Sequence, residues 1–126
     1  MPSTNGTAKR IGARMPSFER GDVIKVPFPY TDRATRQRRP ALVVSGPELE
    51  RAHGLLWVLM ITSAENRGWA GDIEVPDLAK AGLPAPSVIR TAKIATIEAG
   101  DAEKLGAVSA RIRNEAARRV ASTLRV

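Results

Sequence analysis

Two neighbouring stretches decide the fold: GDVIKVPFPYTD, from Gly21 to Asp32, and RPALVVS, from Arg39 to Ser45. Within the first, Val23 to Val26 is rich in β-branched residues and predicts a strand. Pro27 and Pro29 then remove backbone donors, so the chain leaves this strand in an extended form. The second stretch is nearly continuous in apolar residues and predicts a strand buried on both faces.

The rest of the folded chain predicts more short strands and one long helix. Strands are expected at Leu55 to Thr62, Ala70 to Val75, Ser87 to Thr91 and Ile94 to Ile97, with single helical turns at Glu48 to Ala52 and Asp77 to Lys80. From Ser109, whose hydroxyl suits an N-cap, an apolar stripe recurs every fourth residue: Ile112, Ala116, Val120 and Leu124. This order predicts a mainly β fold with a C-terminal helix (α+β), built as a small barrel or twisted sheet.

Length and composition indicate one domain. The chain has 126 residues, and the folded unit is expected at residues 18–126. Residues 1–17 have no apolar period, which predicts a flexible basic N-terminal arm. No apolar run is long enough to cross a bilayer, and the absence of Cys excludes disulfides and fits a reducing cytoplasm.

The formal net charge of +7 favours a polyanionic partner, either nucleic acid or an acidic protein, over a basic protein that is merely soluble. Common catalytic sets are missing from the sequence. His53 is the only histidine, no Cys is available for zinc, and neither a P-loop nor a dinucleotide fingerprint occurs. The carboxylates are scattered, without the pairing typical of a two-metal nuclease. Arginines, hydroxyls and a few carboxylates remain, and no cofactor is predicted.

The arginines are densest before the second strand, at Arg33, Arg36, Arg38 and Arg39. Arg39 stands at the rigid end of this cluster because Pro40 follows it, and its planar fork suits a phosphate. Thr62 and Ser63 end the third strand and offer hydroxyls. Taken alone, the arginine cluster is better explained as a solvated charge run in a loop. Hydroxyls that bond the backbone at a strand end explain Thr62 and Ser63 equally well.

Five blocks, in the same order, resemble the MazF/PemK family of toxin endoribonucleases. They are Gly21 to Asp32, Arg38 to Ser45, Ile61 to Ser63, Gly82 to Arg90 and Leu105 to Ser109, of which the first two are the most specific. The resemblance implies a small SH3-like or Kid-type β-barrel, a homodimer, and metal-independent cleavage of single-stranded RNA in the cytoplasm. It also implies a cognate antitoxin whose acidic, partly disordered tail blocks the RNA groove.

The resemblance also implies particular site residues. The family's catalytic arginine stands directly before Pro-Ala, which is Arg39 in this chain, and its catalytic threonine ends the third strand, which is Thr62. A Glu that some members carry before the arginine is missing, and Asp32 is the nearest carboxylate. Thr91-Ala92-Lys93 replaces an Asp followed by Gln or Lys in many members. The expected substrate-binding residues are Tyr30, Asp32, Arg36, Arg38, Ser63 and Trp69. For Tyr30 and Trp69, base stacking and packing are both open, whereas packing is favoured for Phe28 and Trp57.

Such a nuclease works by positioning, because RNA carries its own nucleophile, the 2′-OH beside the scissile phosphate. Arg39 is expected to bind the non-bridging oxygens and Thr62 to orient the phosphate or the 2′-OH. The products would be a 2′,3′-cyclic phosphate and a 5′-hydroxyl. Because a guanidinium stays protonated, Arg39 is not an ordinary general base, and Asp32 or a second arginine such as Arg38 is open for proton transfer.

Two other functions fit the same barrel. One is a non-enzymatic toxin that poisons DNA gyrase, although a protein that only binds a partner needs neither Arg39 nor Thr62 at these places. The other is a binding-only RNA module, which would bind RNA with a steep salt dependence and leave it whole.

Overall fold

The computed structural model describes residues 16–27 and 37–125, and this part of the chain forms six strands and three helices. The strands are β1 (Asp22–Pro27), β2 (Arg38–Val43), β3 (Leu55–Ser63), β4 (Ile73–Glu74), β5 (Ser87–Glu98) and β6 (Glu103–Ala107). The helices are α1 (Pro47–His53), α2 (Leu78–Ala81) and α3 (Ala110–Leu124), with 3-10 turns at Ala64–Asn66 and Ala99–Asp101.

The strands form one antiparallel sheet in the order β4-β5-β3-β2-β1-β6. Register shifts interrupt the β3–β5 ladder between Leu59 and Met60, and the β1–β6 ladder between Val23 and Ile24. Irregularities of this kind bend strands and increase their twist, and the sheet curls into a half-barrel. The predicted mainly β fold with a C-terminal helix is confirmed.

Alternating side chains build one apolar cluster on each face of the sheet. The helix face is covered by α3 and holds Val23, Leu42, Leu59, Ile61 and Ile89 together with Ile112 and Ala116 of the helix. The opposite face, called the far face below, holds Ile24, Val26, Ala41, Val43, Leu56, Val58, Ala95 and Ile97. Strand alternation therefore decides which polar side chains point away from α3.

The helix α3 begins as its sequence predicts and ends differently. The Ser109 hydroxyl accepts a hydrogen bond from the Ile112 amide, which confirms the predicted N-cap. Ile112 and Ala116 are buried and Val120 packs against the same cluster. Leu124, the last residue of the stripe, is 61% exposed, because the helix continues beyond the apolar cluster.

The strand prediction was wrong in three places. The two strands expected between Ser87 and Ile97 are one, because residues 91–93 form a bulge between the Met60–Arg90 and Leu59–Ile94 pairs instead of a break. The strand expected from Ala70 shrinks to Ile73–Glu74, since Gly71 adopts a positive φ in the preceding turn. The sixth strand, β6, is absent from the sequence prediction and pairs with β1.

The folded unit is anchored at its N-terminal entry by Glu50 of α1. The carboxylate accepts hydrogen bonds from the amides of Ser17 (2.9 Å) and Phe18 (3.1 Å). Phe18 packs against the far-face cluster. The boundary at residue 18 and the basic arm stay predictions, because residues 1–15 lie outside the described residues. Within the described ranges, no helix is long and apolar enough to span a membrane.

Candidate active site

Arg39 lies near the start of β2, opposite Val26 of β1. Its side chain is half-buried, and its Nε atom is buried without a hydrogen-bond partner in the described part of the chain. A buried donor left unpaired costs about 1–3 kcal/mol, and more when it is charged. A proton donor kept in this state is suited to an anionic ligand that supplies the missing acceptor.

Thr62 lies on the neighbouring strand, β3. The β2–β3 ladder ends at the Ala41–Met60 pair, and Arg39 and Thr62 each stand two residues beyond this pair, in the same direction. Both side chains alternate onto the far face, where opposed Cβ atoms are typically about 4.5–5.5 Å apart. The Thr62 hydroxyl is buried and accepts a hydrogen bond from Asn66 Nδ2 at 3.1 Å. Within the described residues this hydroxyl donates no hydrogen bond, so its proton is suited to a ligand.

Arg90 of β5 is the functional candidate that sequence reasoning missed. It pairs with Met60, so it reaches the far face one strand beyond Thr62. Its guanidinium is buried and forms an ion pair with Asp72, with Nε–Oδ1 and Nη2–Oδ2 distances of 3.2 and 2.9 Å. Nη2 also donates to the Asn66 carbonyl at 2.6 Å. These hydrogen bonds from Arg90 lower the pKa of Asp72 below its ordinary value of 3.8.

A sequence signal for Arg90 exists in hindsight. The residue stands in SVIRTA, a strand segment of otherwise apolar and small residues, and a buried charge there requires a partner. Asp72 immediately follows the Gly71 turn, where it also accepts the Trp69 amide at 3.3 Å. Only the fold brings these two segments together, since 18 residues separate them in sequence.

Trp69 lies over this ion pair. The Arg90 Cζ atom is 4.2 Å from the centroid of the Trp69 ring, and Lys93 Nζ is 5.6 Å from it. The indole is nevertheless 48% exposed. Trp69 is therefore a supported aromatic surface beside the Thr62–Asn66 pair rather than a core residue.

The other predicted site residues are not brought together with these groups. Arg38 Nη2 donates to the carbonyls of Lys25 (3.0 Å) and Asp101 (3.1 Å), on the β1 side of the sheet, away from β3 and β5. The Ser63 hydroxyl accepts the Glu65 amide at 3.2 Å, the backbone role that its position at a strand end favours. Tyr30, Asp32 and Arg36 lie outside the described residues.

The described residues include no group of three or more His, Asp or Glu side chains that could hold a metal ion. His53 is exposed in the last turn of α1, at the opposite end of β3 from Thr62. Among the described residues, this site therefore offers an arginine with an unpartnered Nε, a buried hydroxyl, an ion-paired arginine and an exposed indole.

Comparison with known proteins places this site in context. The family described as PemK-like, MazF-like toxins of type II toxin–antitoxin systems matches residues 19–125. No curated protein sequence matches the chain. The solved MazF structure from Deinococcus radiodurans has a TM-score of 0.70, covering 90% of this chain and 99% of its own, at 21% identity.

Two further structures show the same fold. The Mycobacterium tuberculosis toxin MazF-mt6 has a TM-score of 0.63, covering 82% of this chain and 96% of its own, at 22% identity. An endoribonuclease in complex with its cognate antitoxin, from a mycobacterial species, has a TM-score of 0.66, covering 89% and 97%, at 18% identity. All three agree with the curled antiparallel sheet and the C-terminal helix.

Proposed function

The chain belongs to the PemK-like, MazF-like toxins of type II toxin–antitoxin systems, and from this membership and the far-face site we propose that it is a toxin endoribonuclease cleaving single-stranded RNA. The observation that carries the proposal is the buried Nε of Arg39, which has no partner among the described residues and lies on the sheet face that also carries Thr62. An RNA phosphate is an acceptor that satisfies this donor.

The proposed reaction uses the 2′-OH of the substrate as nucleophile. The 2′-oxygen attacks phosphorus, the bond from phosphorus to the 5′-oxygen breaks, and a 2′,3′-cyclic phosphate and a 5′-hydroxyl result. Arg39 stabilises the charge that grows on the non-bridging oxygens, and Thr62 holds the phosphate in line for attack. No metal ion is part of this scheme.

Two proton transfers accompany the attack. The 2′-OH loses its proton to a base, and the leaving 5′-oxygen gains one. The sequence suggests two residues for proton transfer, Asp32 and Arg38. The Arg38 side chain already donates to two backbone carbonyls, and a protonated guanidinium has no atom that can accept a proton. This favours Asp32 as the proton acceptor. Tyr30, Arg36, Arg38, Ser63 and Trp69 are proposed to contact other parts of the RNA.

The proposed partners follow from charge and family. A net charge of +7 favours both RNA and an antitoxin with an acidic, partly disordered tail. One structural relative was solved with its cognate antitoxin. We further propose that the chain acts as a homodimer in the cytoplasm, where mRNA is its target.

The test is cleavage of a mixed single-stranded RNA in EDTA by wild type, Arg39→Ala and Arg51→Ala. Arg51 is an exposed arginine of α1, so its substitution removes the same charge at the far end of β3. Wild type and Arg51→Ala are expected to cut, with 2′,3′-cyclic phosphate ends. Arg39→Ala is expected to be folded and slower by about 100-fold or more, the typical cost of one lost charge-stabilising donor.

Other outcomes separate the alternatives. Folded wild type that leaves RNA whole in EDTA contradicts the proposal. Inhibition of DNA gyrase would then support the gyrase-poisoning toxin, and salt-sensitive RNA binding without cleavage would support the binding-only module. Equal cleavage by wild type and Arg39→Ala would retain the activity but remove Arg39 from the site.

A further inference from the structure

We propose that Trp69 is a stacking platform for one unpaired base of the RNA, and that the buried Arg90–Asp72 pair positions this platform beside Thr62. The inference rests on the proposed function, because it names a subsite of the same RNA groove. It assigns Arg90 and Asp72 to positioning, since their contacts lie within the protein.

The first argument is the way in which the indole is supported. Trp69 is 48% exposed, yet the Arg90 guanidinium lies 4.2 Å from its ring centroid, and the Trp69 amide donates to Asp72 Oδ2. Its backbone and its ring are thus both held by the same ion pair. An exposed tryptophan fixed in this way loses little conformational freedom when a base stacks on it, and every base offers a π-face for such a contact.

The second argument is the connection to the proposed catalytic hydroxyl. Arg90 Nη2 donates to the Asn66 carbonyl at 2.6 Å, and the side-chain amide of the same Asn66 donates to Thr62 Oγ1 at 3.1 Å. The indole, the ion pair and the hydroxyl therefore form one continuous set of contacts. A base stacked on Trp69 would therefore lie on the same side of the site as a phosphate bound near Thr62.

The third argument is charge. Asp72 neutralises Arg90 within the protein, so the supporting guanidinium does not need an RNA phosphate. Lys93 Nζ lies 5.6 Å from the centroid of the same ring. Stacking on the indole combined with a nearby cation is the combination that single-stranded nucleic acids favour.

The binding test exploits the presence of only two tryptophans, Trp57 and Trp69. Trp57→Phe leaves Trp69 as the sole indole and keeps an aromatic ring at position 57, whereas Trp69→Phe leaves Trp57, which lines the groove between β5 and α3. Both proteins are titrated with a short mixed-sequence 2′-O-methyl RNA, which lacks the nucleophile and stays whole. Fluorescence is expected to be quenched saturably in Trp57→Phe and unchanged in Trp69→Phe.

Affinity supplies the second measurement. In a labelled-RNA anisotropy assay, Trp69→Ala is expected to raise Kd by about 5- to 150-fold relative to wild type, the usual loss for one stacked base. Trp69→Phe retains an aromatic face and is expected to stay close to wild type. Because Trp69 is a surface residue, these variants are expected to fold.

The positioning role is tested in the Trp57→Phe background with Arg90→Lys. Lysine keeps the charge but loses the planar fork that contacts Asp72 and Asn66 together. Trp69 fluorescence anisotropy without RNA is expected to fall, which reports a freer ring. In cleavage assays, Trp69→Ala is expected to raise KM, whereas Arg90→Lys should raise KM and lower kcat, because it also releases the Asn66–Thr62 contact.

Failure of this inference is distinguishable from failure of the proposed function. Quenching of Trp69 by the 2′-O-methyl RNA, with no cleavage of unmodified RNA by wild type, would support the platform and contradict the nuclease. Cleavage by wild type with an unchanged Kd and KM in Trp69→Ala would overturn the platform and leave the nuclease intact. Arg90→Lys with wild-type Trp69 anisotropy and kinetics would overturn the positioning role.

Discussion

Three arginines of the described chain end in three different environments, and the differences indicate their roles. Arg38 donates to two backbone carbonyls at the β1 edge of the site. Arg90 is held by Asp72, by the Asn66 carbonyl and by an indole ring. Arg39 keeps a buried Nε without a partner. Since a satisfied guanidinium has little to gain from a ligand, Arg39 has the strongest reason to bind a phosphate.

The Arg90–Asp72 pair makes stability depend on pH. Because Arg90 lowers the pKa of Asp72 below its ordinary value of 3.8, the folded state holds the carboxylate ionised to lower pH than the unfolded state does. The pair's contribution to the free energy of unfolding is therefore complete above the unfolded pKa. It decreases as pH falls below about 3.8 and is lost through the folded pKa.

Urea unfolding of wild type and Asp72→Asn from pH 7 down to pH 3 measures this effect. Asp72→Asn is expected to be about 3–5 kcal/mol less stable at pH 7, because Arg90 is left buried and unpaired. The difference in free energy of unfolding between wild type and Asp72→Asn should become smaller as the pH falls below 4. Asp72→Leu/Arg90→Met, which removes both charges, serves as the reference if the single variant does not fold. A gap that stays constant over this pH range would contradict the prediction.

At the scale of elements, the sequence predicts those strands and helices whose local pattern of apolar and capping residues is enough to identify them. The β1 and β2 segments carry clear apolar runs bounded by prolines or glycine. The α3 segment has an N-cap serine and an apolar residue at every fourth position. The β6 segment, EKLGA, has only a weak pattern and is extended because β1 offers it an antiparallel edge. Likewise, the Arg90–Asp72 pair depends on β5 being continuous through its bulge, a property of pairing rather than of local sequence.

The strand β6 and the helix α2 approach each other closely at Gly106. Gly106 pairs with Val23, and a Cβ added there would overlap the carbonyl of Lys80 and the backbone of Ala81. Gly106→Ala must push α2 and β6 apart, so we expect a loss of about 1–3 kcal/mol in the free energy of unfolding. Gly100→Ala is the control, because a Cβ at Gly100 meets no atom within 4 Å. Equal urea midpoints for the two variants would contradict a close contact between Gly106 and the backbone of α2.

At the scale of the molecule, the apolar surface left uncovered by the fold supports the proposed homodimer. An apolar groove of about 380 Å³ runs between β5 and the last turns of α3, lined by Trp57, Ile94, Val120 and Leu124 among others. Trp57 and Leu124 are 45% and 61% exposed. On the neighbouring helix surface, Glu115 is ion-paired with Arg118 and Arg119, so the charges next to the groove are partly neutralised. Such a surface suits a second copy of this chain better than a polyanion.

Sedimentation equilibrium tests this assignment. Wild type is expected to sediment at twice the 13.6 kDa chain mass. Trp57→Ala and Leu124→Asp are expected to raise the dimer dissociation constant by about 30-fold or more, the loss typical of a central aromatic or aliphatic anchor. Trp69→Ala is the matched control, since it removes an indole of similar exposure from the far-face site and should leave the dimer intact.

A monomeric wild type would contradict the homodimer. Dissociation as strong in Trp69→Ala as in Trp57→Ala would place the interface over the proposed RNA site, so that RNA and the second copy would compete for Trp69.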